Sequence, residues 1–223
     1  MTKQERIEKM KADLKRMTEI ENNLYENGYE GRPINLIAGM DEVGRGPLAG
    51  PVVTAAVVLP KDFSLLGVND SKKLTAKRRD EMYDKIMECA VEVNIGLRDN
   101  EAIDRINILN ATKEAMKDAV SGLERRPDIV LIDALEIEGL DIPQIGIVKG
   151  DTKSVSVAAA SIIAKVTRDR MMIDYAEKYP GYAFEKNKGY GTKAHYEGLD
   201  KSGPCPIHRR SFLVKYFADR DLH

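Results

Sequence analysis

The chain has 223 residues, 43% of them hydrophobic, with 35 basic and 36 acidic side chains and a formal net charge of −1. This length suits one domain with an appendage and leaves enough apolar material for a core, while the even charge balance excludes a global polycation. Two cysteines cannot build a disulfide framework, the charged N-terminus is unlike a signal sequence, and the longest small-apolar run, Val155 to Ala164, is too short to span a bilayer. The expectation is a soluble protein of a reducing cytoplasm.

From Lys3 to Leu24 the residues Ile7, Met10, Leu14, Met17, Ile20 and Leu24 recur at helical spacing, and Gly28, Gly31 and Pro33 end the pattern. Residues 1–33 therefore read as an N-terminal helical extension that packs on the body or on a neighbouring chain, and residues 34–223 as the main domain. Apolar runs at Ile34–Met40 and Pro51–Leu59 predict paired strands around a glycine-rich turn. Thr75 opens an amphipathic helix through Met82, Ile86 and Cys89, with Cys89 on its apolar side, and Val91–Leu97 predicts a third strand. Asn100–Gly122 reads as helix with one interruption, Ile129–Ile132 and Ile145–Val148 as short buried strands, and Ser154–Tyr179 as a long helix stopped by Pro180-Gly181. Strands first, then strands alternating with helices, predict an α/β fold with a mixed sheet flanked by helices on both faces.

Chemistry concentrates at the ends of these strands. Asp41 and Glu42 close the first run and lead straight into Gly44-Arg45-Gly46. Strand alternation puts neighbours on opposite faces, so two adjacent acids share a site only if the strand ends or distorts there, and the glycines make such a bend cheap. Arg45 adds a rigid fork of donors suited to phosphate. Asp133 closes the run Ile129–Ile132, and Asp151 follows Ile145–Gly150. Four carboxylates at one sheet edge suit hard cations such as magnesium or manganese. The three histidines, His195, His208 and His223, are scattered without metal-ligand spacing. Asp169 is a rival for the fourth acid, but it lies four residues after Lys165 inside the long helix, as an intrahelical ion-pair partner would.

Between Lys186 and Lys215 seven basic residues, Lys186, Lys188, Lys193, Lys201, Arg209, Arg210 and Lys215, face only Glu197 and Asp200. They form a candidate phosphate track, with a solvated helical face as the alternative. Ser71, Lys72 and Lys73 precede the helix opened by Thr75 and form a second candidate phosphate site.

Taken in order, the blocks Asp41–Gly50, Asn69–Leu74, Leu131–Asp133, Lys149–Asp151, Ala158–Asp169, Lys188–Thr192 and His208–Phe212 resemble bacterial ribonuclease HII over nearly everything except the first helix and the tail. The resemblance implies a ribonuclease H-like fold with a helical C-terminal part, and an endonuclease acting on RNA–DNA hybrids and on single ribonucleotides in DNA, in ribonucleotide excision repair. It carries the four acidic positions onto Asp41, Glu42, Asp133 and Asp151, which would hold two divalent ions, Mg2+ or Mn2+. It implies cleavage on the 5′ side of the ribonucleotide, leaving 3′-hydroxyl and 5′-phosphate ends. It further implies that the backbone of Gly44, Arg45 and Gly46 senses the 2′-hydroxyl together with Tyr190, whose ring, flanked by Gly189 and Gly191, stacks on the following sugar. Where many relatives have glycine after the third acid, this chain has Ala134. The expected partner is nucleic acid, with no membrane and a monomeric state. The alternatives are a general two-metal nuclease or phosphatase on the same fold, and a non-catalytic hybrid-binding module.

Overall fold

The computed structural model describes residues 2–218 apart from Asp70, Lys72 and Lys73. The expectations for Lys72, Lys73 and His223 lie outside the described residues.

The elements follow the predicted order: α1 (Lys3–Met17), α2 (Glu19–Asn27), β1 (Ile37–Val43), β2 (Val52–Val58), α3 (Ala76–Cys89), β3 (Glu92–Arg98), α4 (Asn100–Ile106), α5 (Ile108–Ser121), β4 (Ile129–Asp133), β5 (Gln144–Ile147), α6 (Val155–Lys178), α7 (Phe184–Asn187), α8 (Lys193–Ser202) and α9 (Val214–Ala218). The single N-terminal helix is broken at Thr18, whose hydroxyl donates to the carbonyls of Leu14 (3.1 Å) and Lys15 (3.0 Å) and so bends the chain into α2. β1 begins later than its apolar run, because the amides of Asn35 and Leu36 are taken by the Asp128 carboxylate at 2.8 and 2.9 Å. Thr75 caps α3 by accepting from the Arg78 amide, and Ser154 caps α6 through the Val157 amide, as their positions before apolar-periodic runs predict. Cys89 departs from expectation: it lies exposed at the end of α3, past the apolar stripe of Met82 and Ile86.

The five strands form one mixed sheet in the order β3-β2-β1-β4-β5. β1 pairs antiparallel with β2 and parallel with β4, β3 is antiparallel to β2, and β5 is parallel to β4. Alternation along β2 divides the core. Ala55 and Val57 meet Ala158, Ile162 and Ile163 of α6 with Met82 and Ile86 of α3. Ala56 and Val58, with Ala38 and Met40 of β1, meet Met116, Ala119 and Val120 of α5. α6 lies directly on β1: a Cβ at Gly39 would come within 2.1 Å of the Ser156 backbone, so only glycine admits this approach. The extension is anchored on the body, with Met17 in the α6 face of the core and Leu24 beside Ile37 and Ile129. A separate cluster of Ala49, Met172, Tyr182, Phe184, Leu199, Ile207 and Leu213 ties the C-terminal helices to the turn after β1, where Ala49 also bridges His208.

Parallel pairing of β1 with β4 stops at Met40↔Ile132. Asp41 and Asp133 therefore follow just where two neighbouring parallel strands part at their C-terminal ends, the usual place for a site in a sheet of this kind.

Candidate active site

β1 does not end or distort at its acids. It keeps register through Glu42↔Thr54 and Val43↔Val53, so the bend expected at Asp41-Glu42 comes only after Val43. Alternation places Asp41 on the α6 side with Gly39, and Glu42 on the other side. Asp41 nonetheless feels the charge of Glu42 across the backbone. Asp41 is buried, and its carboxyl accepts from the Glu42 amide at 2.8 Å. Burial, and then the charges of Glu42 and Asp133, push its pKa well above the usual carboxylate range, against the opposing pull of the Ser161 hydroxyl and the Glu42 amide. Burial also raises Glu42, with Asp133 adding to the rise, while the Arg45 guanidinium, 3.3 Å from Oε1, lowers it. The Glu42 Oε2 atom is buried with no hydrogen-bond partner among the described residues.

Asp133 is the last residue of β4, and its Oδ1 accepts from the amide of Gly150 at 2.8 Å. Gly150 opens the 3-10 turn Gly150–Thr152, which holds the buried Asp151. A non-glycine residue in the left-handed region lies near each acid: Ala134, with φ of 50°, directly follows Asp133, and Lys149, with φ of 59°, stands two residues before Asp151. Ala134 thus meets, at a steric cost, a backbone demand that glycine meets freely.

Among the described residues no three His, Cys, Asp or Glu side chains are already drawn into a metal-holding group. Asp41 feels the charges of Glu42 and Asp133, Glu42 feels that of Asp133, and Asp151 follows Gly150, whose amide donates to Asp133. The donor chemistry fits a hard divalent cation: the candidate ligands offer oxygen alone, one buried carboxylate oxygen lacks a partner, and two of the carboxyl groups are destabilised as anions by burial and by neighbouring acids. Asp169 is occupied elsewhere, by Lys165 at 2.7 Å and Arg79 at 3.5 Å.

The glycine-arginine-glycine turn stands beside these acids. Gly44 has φ of 97°, and a Cβ there would come 2.3 Å from Arg168 Nε and 2.6 Å from the Pro51 carbonyl. Tyr190 is 43% exposed, and its Cε1 lies 3.6 Å from where a Cβ on Gly46 would be, so the ring and the turn share one surface.

A family model described as ribonuclease HII matches residues 38–215. The chain belongs to the ribonuclease HII family. It is 56% identical to the ribonuclease HII of Ligilactobacillus salivarius over 207 residues, covering 93% of this chain and 79% of that one. Its fold is similar to that of the ribonuclease H2 of Pyrococcus horikoshii, with a TM-score of 0.69 and 28% identity, covering 83% of this chain and 98% of the other. It is also similar to Bst-RNase HIII in complex with Mn2+, with a TM-score of 0.57 and 22% identity, covering 79% and 64%. The protein is thus a ribonuclease H, of a family that degrades RNA in RNA–DNA hybrids. No helix among the described residues is long and apolar enough to cross a membrane.

The expected phosphate track needs one correction for this family member. Arg209 is fully buried, and its guanidinium donates to the carbonyls of Gly44 (2.5 Å), Arg45 (3.0 Å) and Gly50 (2.9 and 3.0 Å). All three nitrogens of the fork donate to backbone carbonyls, and the buried side chain faces the turn rather than solvent. Arg210 is exposed, as are Lys186, Lys193, Lys201 and Lys215. Ser71 is buried against Ser161, with their hydroxyls 3.0 Å apart, and so reaches Asp41 through Ser161 rather than facing outward.

Sequence reasoning missed four contributors. Arg168, also fully buried, donates to the carbonyls of Pro51 (2.9 Å), Lys188 (2.9 Å) and Ala49 (3.1 Å). His195 and His208 are buried with their Nε2 atoms 2.9 Å apart, and His195 Nδ1 lies 2.9 Å from the Tyr190 carbonyl. Glu21 of α2 reaches the start of α6. The arginine and His208 lay inside motif blocks, but a motif does not say which of its charges face inward.

Proposed function

We propose that this protein is a divalent-metal-dependent endonuclease that nicks DNA on the 5′ side of a single embedded ribonucleotide, besides cutting the RNA strand of hybrids. The observation that carries the reading is the juxtaposition of the acidic strand ends with the Gly44-Arg45-Gly46 turn and the exposed ring of Tyr190.

Asp41, Glu42, Asp133 and Asp151 would hold the ions, Mg2+ or Mn2+, two during the reaction. When bound, these supply activation of the attacking water and neutralise charge on the phosphate and the leaving ribose oxygen. The donor set supports such ions, and Mn2+ is the ion in the structure of Bst-RNase HIII. The chain's own residues do the rest. Arg45, 43% exposed at its side chain, shields Glu42 from solvent and offers its remaining donors to a backbone phosphate. The turn's backbone meets the ribose, and Tyr190 fixes the next sugar by stacking, so the scissile phosphate is held over the acids. Exposed Arg210 and the lysines after Lys186 track the flanking phosphates. The products would carry 3′-hydroxyl and 5′-phosphate ends, and the ribonucleotide reading places the protein in repair of DNA containing ribonucleotides.

The test uses three duplexes of one sequence: all DNA, DNA with one ribonucleotide, and an RNA–DNA hybrid, each with magnesium, with manganese and with chelator. Nicking of the second and third in the presence of metal, with the first left intact, is expected. Cutting of the all-DNA duplex at a similar rate would favour a general nuclease, and cleavage in chelator would remove the metal from the reading.

A further inference from the structure

The amides of the Gly44-Arg45-Gly46 turn need a cause for the way they face. A trans peptide points its C=O and the next residue's N–H in opposite directions within one plane, and the described residues include no cis bond. The carbonyls of Gly44 and Arg45 are both turned inward to the Arg209 guanidinium, at 2.5 and 3.0 Å. The N–H groups of Arg45 and Gly46, which share those two planes, are thereby turned outward. Both residues are exposed, and neither amide donates to another described residue.

We infer that Arg209 is a specificity-positioning residue, whose buried guanidinium aims the Arg45 and Gly46 amides at the ribose of the substrate as a pair of fixed donors. This rests on the reading that the turn senses the 2′-hydroxyl.

The choice of residue supports it. Among the described residues no carboxylate lies within ion-pair distance of Arg209 or of Arg168 beside it. A guanidinium buried without a counterion costs several kcal/mol, which filling space alone does not justify, since an apolar side chain would do that more favourably. Burial lowers Arg209 to about 9, with the Arg168 charge adding to the fall, so it stays protonated at neutral pH and places fixed positive charge under the turn. The planar fork also has the right shape, since one group spans the Gly44, Arg45 and Gly50 carbonyls, which a lysine point charge cannot hold in fixed orientation.

The experiment compares the parent with Arg209→Lys on duplexes that differ only in ribose against deoxyribose at one position. Arg209→Lys is expected to lower kcat on the ribonucleotide duplex by about a hundredfold, as losing a preorganised donor does, with KM within about threefold. In chelator, its binding preference for the ribonucleotide duplex over all-DNA duplex should collapse. A folded Arg209→Lys protein that keeps both kcat and the preference overturns the inference. Should that variant not fold, hydrogen exchange in the parent decides. The Arg45 and Gly46 amides should exchange fast when free and be slowed by the ribonucleotide duplex but not by all-DNA duplex, whereas protection already in the free enzyme, or equal slowing by both duplexes, overturns it. If the parent itself fails to nick the ribonucleotide duplex, the functional reading fails instead, and the two failures are told apart.

Discussion

Replacing Glu21 with alanine should unseat the turn that carries Asp151, although Glu21 lies far from it in sequence. Glu21 is 5% exposed; Oε1 accepts from the Ser154 hydroxyl at 2.5 Å and the Ser156 amide at 3.0 Å, at the N-terminus of α6. Arg16 of α1 adds a bond from Nη1 to the Thr152 carbonyl at 3.0 Å. The extension therefore grips the chain between Asp151 and α6 at both a carbonyl and a helix start. A hydrogen bond to a charged group contributes about 1.5–3 kcal/mol and an anion at a helix N-terminus about 0.3–1, so two such bonds and the helix start, less the cost of burying Oε2 with no partner among the described residues, put Glu21→Ala on the order of 3–5 kcal/mol. For a protein of this size that is a fall in Tm of about 10 °C. Glu21→Gln keeps an acceptor oxygen and should cost about 1–2 kcal/mol.

The assay is urea unfolding of both variants, followed by titration of activity with manganese. Glu21→Ala should need more metal for half-maximal rate, because the fourth acid is no longer held, and Glu21→Gln should stand between it and the parent. Alanine and glutamine variants within about 1 kcal/mol of the parent, with unchanged metal dependence, would refute the reasoning. By the same argument, removing residues before Gly31 should weaken metal response as well as stability.

Asp41→Asn and Asp133→Asn should nearly abolish cleavage while apo stability holds or rises, since each removes like charge from a crowded edge; unfolding curves and turnover at saturating metal check both. For Asp41 the sign is fixed: its folded pKa is raised, so in the parent the apo protein loses stability as pH rises above the usual carboxylate range, and the asparagine variant should lose this slope. Tyr190→Ala should cost ~1–3 kcal/mol on the single-ribonucleotide duplex and Tyr190→Phe less, because the ring face remains; cleavage rates of both variants beside the parent give the comparison. His208 is pushed down to about 4 by burial and then by His195, so its contribution is complete above the ordinary histidine value of 6.5 and lost as pH falls toward 4, on the order of 3 kcal/mol in all; urea midpoints across that window should be flatter for His208→Gln. Ala134→Gly should raise stability by up to about 1 kcal/mol, read from thermal unfolding, because φ of 50° suits glycine.

What the sequence made legible was whatever short-range rules govern. Apolar runs ending in Asp41 and Asp133, caps at Thr75 and Ser154, and the glycine-bounded turn were all readable from a few neighbours. Ala134 could be flagged, but the left-handed backbone that explains it needed the structure. Arg209 was misplaced, because a basic run looks the same whether its side chains meet water or carbonyls. What buries it is the bridge between Ala49 and His208, which joins segments far apart in sequence. His195 and His208 looked scattered for the same reason, since folding alone brings their rings together. Glu21 resembled any other charge on an amphipathic helix until α6 gave it a helix start to meet.

The two charged halves of the site explain each other. Asp41 and Glu42 are destabilised as anions by burial, and two buried arginines lie nearby with charge to spare, yet they do not neutralise one another. Had Arg168 or Arg209 paired with these acids, the carboxylates would be satisfied within the protein and would have little left to offer a divalent ion. The backbone prevents this: the carbonyls of Gly44, Arg45, Ala49, Gly50, Pro51 and Lys188 consume the guanidinium donors and point them at the turn instead. Among the described residues only Arg45, exposed and in contact with Glu42 through one nitrogen, bridges the halves, and it can leave that contact at small cost. Acids left unpaired with the two buried arginines and amides kept facing outward are thus two outcomes of one local fold, in which a left-handed Gly44 lets the turn close over Arg168. A Cβ at that position would push into the guanidinium and the Pro51 carbonyl together, so it would disturb metal response and ribose discrimination at once rather than either alone.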